Sequence, residues 1–162
     1  MIDDNPGLVR LKKEFEDLEE NPMSEIGCQI WLTDEDNYYE WKGFMQGPTN
    51  TPYTGAILYF TISFQSDFPN SPPNFRFSYK NMYHLNISPY DGHACVSIVN
   101  DWNPKTKIRQ VIHAVNIILK DQNPDDPYPG KSEMIELYRN NRSKFDENVK
   151  EWVRNNALKT HK

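Results

Sequence analysis

Near the start of the chain, apolar residues recur three and four positions apart: Leu8, Leu11, Phe15 and Leu18 form one stripe of a helix. Asn5-Pro6 supplies an N-cap and a proline for its first turn, and Asn21-Pro22 stops it. From Gly27 to Phe77 the pattern shortens into runs rich in Tyr, Phe, Trp, Ile and Thr. Four strands are predicted, Gln29–Leu32, Tyr38–Met45, Ala56–Phe64 and Asn74–Ser78. Gly47-Pro48, Thr51-Pro52, Pro69 and Pro72-Pro73 punctuate them, and their closeness in sequence predicts an antiparallel meander. Residues 79–104 carry little regular pattern, and an irregular stretch of that length usually has a function. Helical spacing returns with Ile108, Val111, Ile112, Val115, Ile118 and Leu119. A short helix near Ser132–Tyr138 and a last one striped by Phe145, Val149 and Trp152 complete an α+β order of one helix, four strands and three helices.

At 162 residues the chain is expected to be one domain with a core that needs no disulfide or metal. A net charge of -5 argues against nucleic acid, which rewards clustered Lys and Arg. Neither a leader-like N-terminus nor an apolar run of membrane length is present, so cytoplasm or nucleus is expected, and no membrane partner. Metal-ligand spacing is missing among the four histidines and two cysteines. Gly43, Gly47 and Gly55 do not make a phosphate loop, so no cofactor is expected.

Candidate chemistry gathers around Cys95, beyond a Pro/Gly-containing turn that follows Asn86. A thiol working by acyl transfer needs access, a route to thiolate and a home for the oxyanion. Asn86 offers a side-chain amide for that oxyanion, or a brace for the loop through backbone hydrogen bonds. His84 reads as a tie between loop backbone and sheet rather than a base, and His93 stands beside the thiol in sequence. Asp125 and Asp126, flanked by prolines, would raise a thiol pKa if adjacent to it, so they suit orienting an incoming amine better.

The whole pattern resembles a ubiquitin-conjugating enzyme from about Leu8 to Trp152. The resemblance rests on Lys13-Glu14-Phe15-Glu16-Asp17-Leu18, Trp41, Gly47-Pro48, Pro52-Tyr53-Thr54-Gly55, Phe68-Pro69 and Pro72-Pro73. It continues through Tyr83-His84-Leu85-Asn86-Ile87, Cys95, Trp102-Asn103-Pro104, Asn123-Pro124-Asp125-Asp126-Pro127, Phe145 and Trp152. It implies a single catalytic core over residues 1–162 with short terminal extensions. Cys95 would accept ubiquitin or a related modifier as a thioester from an activating enzyme, which uses the ATP, and pass it to a lysine or a ligase cysteine. Asn86 would support the oxyanion or its loop, and Asp126 would position the attacking lysine. Tyr83, His84, Ser97, Asn123 and Asp125 are expected to support or modulate the surrounding loops.

Departures from the family pattern are visible. Leu85 stands where the family has proline, which adds a backbone N–H. Asn70 replaces an apolar aromatic residue on the ligase-facing loop, and Lys105 puts charge where a small residue is usual. Pro69, Asn70, Pro104 and Lys105 are expected to form the ligase surface. Arg10 and Lys13 are expected to share an exposed side of the first helix and to meet an activating enzyme or ligase. A monomer is expected. Two other readings stay open: an inactive variant that scaffolds an active partner, and an unrelated cysteine hydrolase.

Overall fold

The computed structural model describes residues 5–158. The short extensions expected at the termini therefore lie partly outside the described residues. Helix α1 runs Pro6–Glu20, and Asn5 caps it by accepting from the amides of Gly7 and Leu8. Leu11, Phe15 and Leu18 are buried as predicted, while Leu8 is half-buried and Gly7 takes the buried place beside it. A single 3-10 turn at Ser24–Ile26 leads to the sheet.

Strands β1 (Gln29–Leu32), β2 (Glu40–Gln46), β3 (Ile57–Ser63) and β4 (Asn74–Phe77) pair antiparallel in chain order. The predicted meander is observed with ends shifted by at most two residues. Alternation explains the register: Trp41 and Met45 on β2, Leu58, Phe60 and Ile62 on β3, and Phe75 and Phe77 on β4 are buried. Phe15 meets Trp41 edge-on at 5.3 Å between ring centres, so α1 joins the same core.

After the sheet come α2 (Ser97–Asn100), α3 (Ile108–Lys120), α4 (Ser132–Asn140) and α5 (Arg142–Asn156). The predicted order lacks α2, because a four-residue helix is too short to show a 3.6-residue period. Helix α3 buries Ile108, Val111, Ile112, Val115 and Leu119, and α5 buries Phe145, Val149, Trp152 and Val153. None of the described helices is long and apolar enough to cross a membrane.

Helices α1 and α3 are locked by two charged contacts. Glu14 accepts from the free Ile108 amide at 2.6 Å, capping α3 from another element, and Arg10 holds Glu14 in place at 2.6 Å. Arg109 pairs with Asp17 at 3.0 Å and keeps that carboxyl below its usual range.

Candidate active site

Cys95 is positioned by a pair of short segments laid against the edge of β4. The His93 carbonyl accepts from the Ser88 amide, and the Cys95 amide donates to the Asn86 carbonyl at 3.0 Å. Ala94 donates to the Phe75 carbonyl, and His93 bridges Arg76 on the strand. The turn closes through Gly92, whose φ of 78° and whose side-chain direction, 1.9 Å from the Phe77 carbonyl oxygen, leave room only for hydrogen. The irregular stretch of the sequence is thus ordered by backbone bonds to the sheet and to itself.

The half-exposed Cys95 opens on a cavity of about 340 Å³. Asn86, Ser97, Asn100, Asp121, Asn123 and Asp126 supply its polar lining, and Ala114, Ile117 and Ile118 of α3 its apolar wall. Cys28 is buried, and burial pushes its thiol up to about 12. Of the two thiols, only that of Cys95 is accessible.

Asn86 is buried and fully engaged. Its Nδ2 donates to the carbonyls of Asn123 at 2.9 Å and Asp126 at 3.1 Å, and its Oδ1 accepts from the Asn123 amide at 2.8 Å. The side chain therefore fixes the acidic loop as a brace, with both amide hydrogens in use. Asp126 faces the cavity, whereas the Asp125 carboxylate turns away to Arg139 at 2.6 Å. Asn123 lines the cavity and holds the Asp125 amide through its Oδ1. Ser97 stands at the rim as the first residue of α2.

His84 is wholly buried. Its Nδ1 accepts from the Asn86 amide at 2.9 Å, so Nε2 carries the proton and donates to the Ile118 carbonyl at 2.8 Å. Burial pushes the ring down to about 3, with its bond to Ile118 opposing, and it stays neutral near pH 7. The tie runs to α3 rather than to the sheet. Tyr83 points away from the cavity, its ring tilted against that of Phe145 at 5.2 Å between centres and its hydroxyl accepting from Asn148 Nδ2. His93 Nδ1 is bonded to the Tyr128 hydroxyl at 2.5 Å. Burial lowers the His93 ring and raises the Tyr128 phenol to about 12, with the nearby Cys95 as a further cause for Tyr128.

The backbone N–H that Leu85 brings in place of a proline has a dedicated acceptor, Gln122 Oε1 at 2.7 Å. Gln122 Nε2 in turn donates to the Tyr53 hydroxyl, which donates to the Tyr83 carbonyl at 2.5 Å. Buried Lys131 donates to the carbonyls of His84 and Ile87, on either side of Asn86. Sequence reasoning missed Asn100, Asp121, Gln122, Tyr128 and Lys131. Asn100 had a faint signal, since a helical turn starting at Ser97 returns it toward Cys95, but the others are placed by contacts distant in sequence.

Arg10 and Lys13 do not share an exposed face. Lys13 is exposed, but Arg10 is half-buried, donating to the carbonyls of Pro104 at 2.5 Å and Thr106 at 2.7 Å and lying over the Phe68 ring. Trp102 Nε1 donates to the Pro69 carbonyl at 2.8 Å, so the loops carrying Pro69, Asn70, Pro104 and Lys105 are brought together. Arg10 supports that surface from beneath.

A half-exposed thiol on an α+β scaffold, with one neighbouring histidine buried neutral and the other bonded to a tyrosine, has the layout of an acyl carrier rather than of a hydrolase driven by a histidine base. Comparison with known proteins agrees. The family model for ubiquitin-conjugating enzymes matches residues 10–153. The chain is 34% identical over 148 residues to "Ubiquitin conjugating enzyme E2 B" of Dictyostelium discoideum, covering 91% of this chain and 96% of that one. It also superposes, at a TM-score of 0.82 and 32% identity, on a crystal structure of a Plasmodium yoelii protein assigned to the ubiquitin conjugating enzymes, covering 97% and 99% of the two chains. The chain belongs to the ubiquitin-conjugating enzymes, and its activity is the transfer of a protein modifier through a thioester.

Proposed function

We propose that Cys95 is the residue that carries the modifier. The observation that carries this reading is the placement of the accessible thiol in a cavity shared with Asp126 and walled by α3, with the other thiol buried and held protonated. A thioester is already activated, so the site's task is to hold the acyl group and to present an amine to it. Asp126, unpaired with Arg139 and facing the cavity, positions the attacking lysine, and Asp125 stays outside this step. Asn86 acts by holding the Asp126 loop rather than as the main oxyanion donor, because both its amide hydrogens are engaged.

Partners follow from the family: a modifier, an activating enzyme that uses the ATP, ligases and protein substrates. Pro69, Asn70, Pro104 and Lys105 form the ligase-facing surface, with Lys13 as its exposed basic neighbour on α1. The modifier is ubiquitin or a ubiquitin-like protein. The enzyme works in the cytoplasm or nucleus, where a thiol stays reduced, as a single core acting as a monomer.

The test mixes the protein with ATP and each purified pair of activating enzyme and modifier, followed on a non-reducing gel. One pair is expected to give a thiol-sensitive adduct. Discharge of that adduct to free lysine at neutral pH is expected to slow in Asp126→Ala and to keep its rate in Asp125→Ala, and the reverse pattern overturns the Asp126 assignment.

A further inference from the structure

We propose that Asn100 is a catalytic residue of the discharge step, its side-chain amide stabilising the sulfur of Cys95 as the thioester breaks. This inference rests on the reading that Cys95 carries the modifier.

Three observations carry it. Asn100 Nδ2 donates to Cys95 Sγ at 3.5 Å, a direct contact with the reacting atom. Of the other two side-chain amides lining the cavity, Asn86 has both hydrogens engaged, and Asn123 turns its Oδ1 to the Asp125 amide, so the contact with the sulfur is that of Asn100. Helix α2 fixes the donor, since the Asn100 amide bonds to the Val96 carbonyl at 3.1 Å and the Asp101 amide to the Ser97 carbonyl at 2.8 Å. One turn of helix, starting two residues after the cysteine, thus returns a neutral N–H donor to the sulfur.

Chemistry gives the contact its direction. The amine's lone pair forms a C–N bond with the thioester carbonyl carbon, and the amine loses a proton to solvent. The tetrahedral intermediate then collapses: the C–Sγ bond breaks and its electron pair goes to Sγ. An acyl-bound sulfur is a poor hydrogen-bond acceptor, whereas a thiolate is a strong one. The Asn100 N–H···S bond therefore tightens as charge arrives, stabilising the transition state more than the charged ground state. The same contact is present in the uncharged enzyme, where it bears on the reactivity of the sulfur.

The experiment measures two rates in wild type, Asn100→Ala and Asn100→Asp. One is single-turnover discharge of charged enzyme to free lysine; the other is alkylation of uncharged enzyme by iodoacetamide at pH 7, read at Cys95 by mass spectrometry. Asn100→Ala is expected to slow discharge about three- to ten-fold, less than a hydrogen bond to a buried charged group supplies, because the pair is solvent-exposed. Asn100→Asp keeps the size but replaces the donor with an anion, and is expected to be slower than Asn100→Ala. Alkylation should fall in the same order, with melting temperatures unchanged. Wild-type rates in both variants overturn the proposal, as does Asn100→Asp matching wild type while Asn100→Ala is slow, which would make the role one of shape. If wild type never charges on Cys95, the carrier reading fails; the alkylation order then decides whether Asn100 acts on the sulfur.

Discussion

Asn86 and Asp126 are forty residues apart in sequence and joined by a single hydrogen bond, Asn86 Nδ2 to the Asp126 carbonyl at 3.1 Å. With the two bonds to Asn123, it makes the segment that holds the Cys95 amide also hold the acidic loop. One buried residue thus holds both segments, that of Cys95 through its backbone carbonyl and that of Asp126 through its side chain.

Removing that side chain is therefore expected to cost stability as well as rate. Asn86→Ala strands one N–H and two carbonyls, a loss of about 2 kcal/mol and a fall in Tm of roughly 4–8 °C. Discharge to lysine should slow more than loading, because the Asp126 loop matters most when the amine arrives. Melting curves beside single-turnover rates check this. An unchanged Tm with slow discharge would instead make Asn86 a direct oxyanion donor.

Leu85 and Gln122 form a second matched pair. The N–H that leucine adds is buried and accepted by Gln122, so Gln122→Leu should cost about 1–3 kcal/mol. Leu85→Pro removes the same N–H and should cost less in a Gln122→Leu background than in wild type. A double-mutant cycle by denaturant unfolding measures the coupling, and strict additivity would contradict the pairing.

Arg10 is expected to behave as a structural pin. Arg10→Glu leaves the Pro104 and Thr106 carbonyls without their donor and loosens Glu14, which caps α3. A loss of about 1–3 kcal/mol is expected, where Lys13→Glu should leave the Tm within about 1 °C. Equal melting temperatures for the two variants would return Arg10 to the role of a free surface charge.

Lys131 sets a pH dependence. Burial pushes its ammonium down to about 8, below the ordinary lysine value of about 10.4 in the unfolded chain. The folded state therefore binds fewer protons than the unfolded state between those values, and stability from this group rises with pH across that window. Below about pH 8 both states carry the proton and the full burial penalty is present. The stability of wild type relative to Lys131→Met should grow from pH 8 to pH 10, measured by urea unfolding. A difference that is flat or shrinks contradicts this.

Much of the fold was legible because its signals are local. The Asn5-Pro6 cap, the alternation along residues 40–46 and the spacing from Ile108 to Leu119 each reflect a chain segment choosing one face. At the candidate site, loop chemistry pointed to Cys95 and to the pair Asp125 and Asp126, the family resemblance chose Asp126 of the two, and Cys95 and Asp126 both line the cavity. Arg10 was misread because its partners, Pro104 and Thr106, lie on a loop that only the folded chain brings beside α1. Gln122 and Lys131 were missed for the same reason: their partners are backbone atoms of residues 84–87, invisible to any periodicity. Helix α2 escaped by its length, and the Asn100 contact with it.

The central claim is that Cys95 forms the thioester, and intact-protein mass spectrometry with peptide mapping of the charged enzyme tests it most directly. Wild type and Cys28→Ala should each gain the mass of one modifier on the peptide containing Cys95, and lose it on treatment with a thiol. Cys95→Ala should gain none. A thiol-labile adduct that persists in Cys95→Ala, or that maps to Cys28 in wild type, would contradict the account.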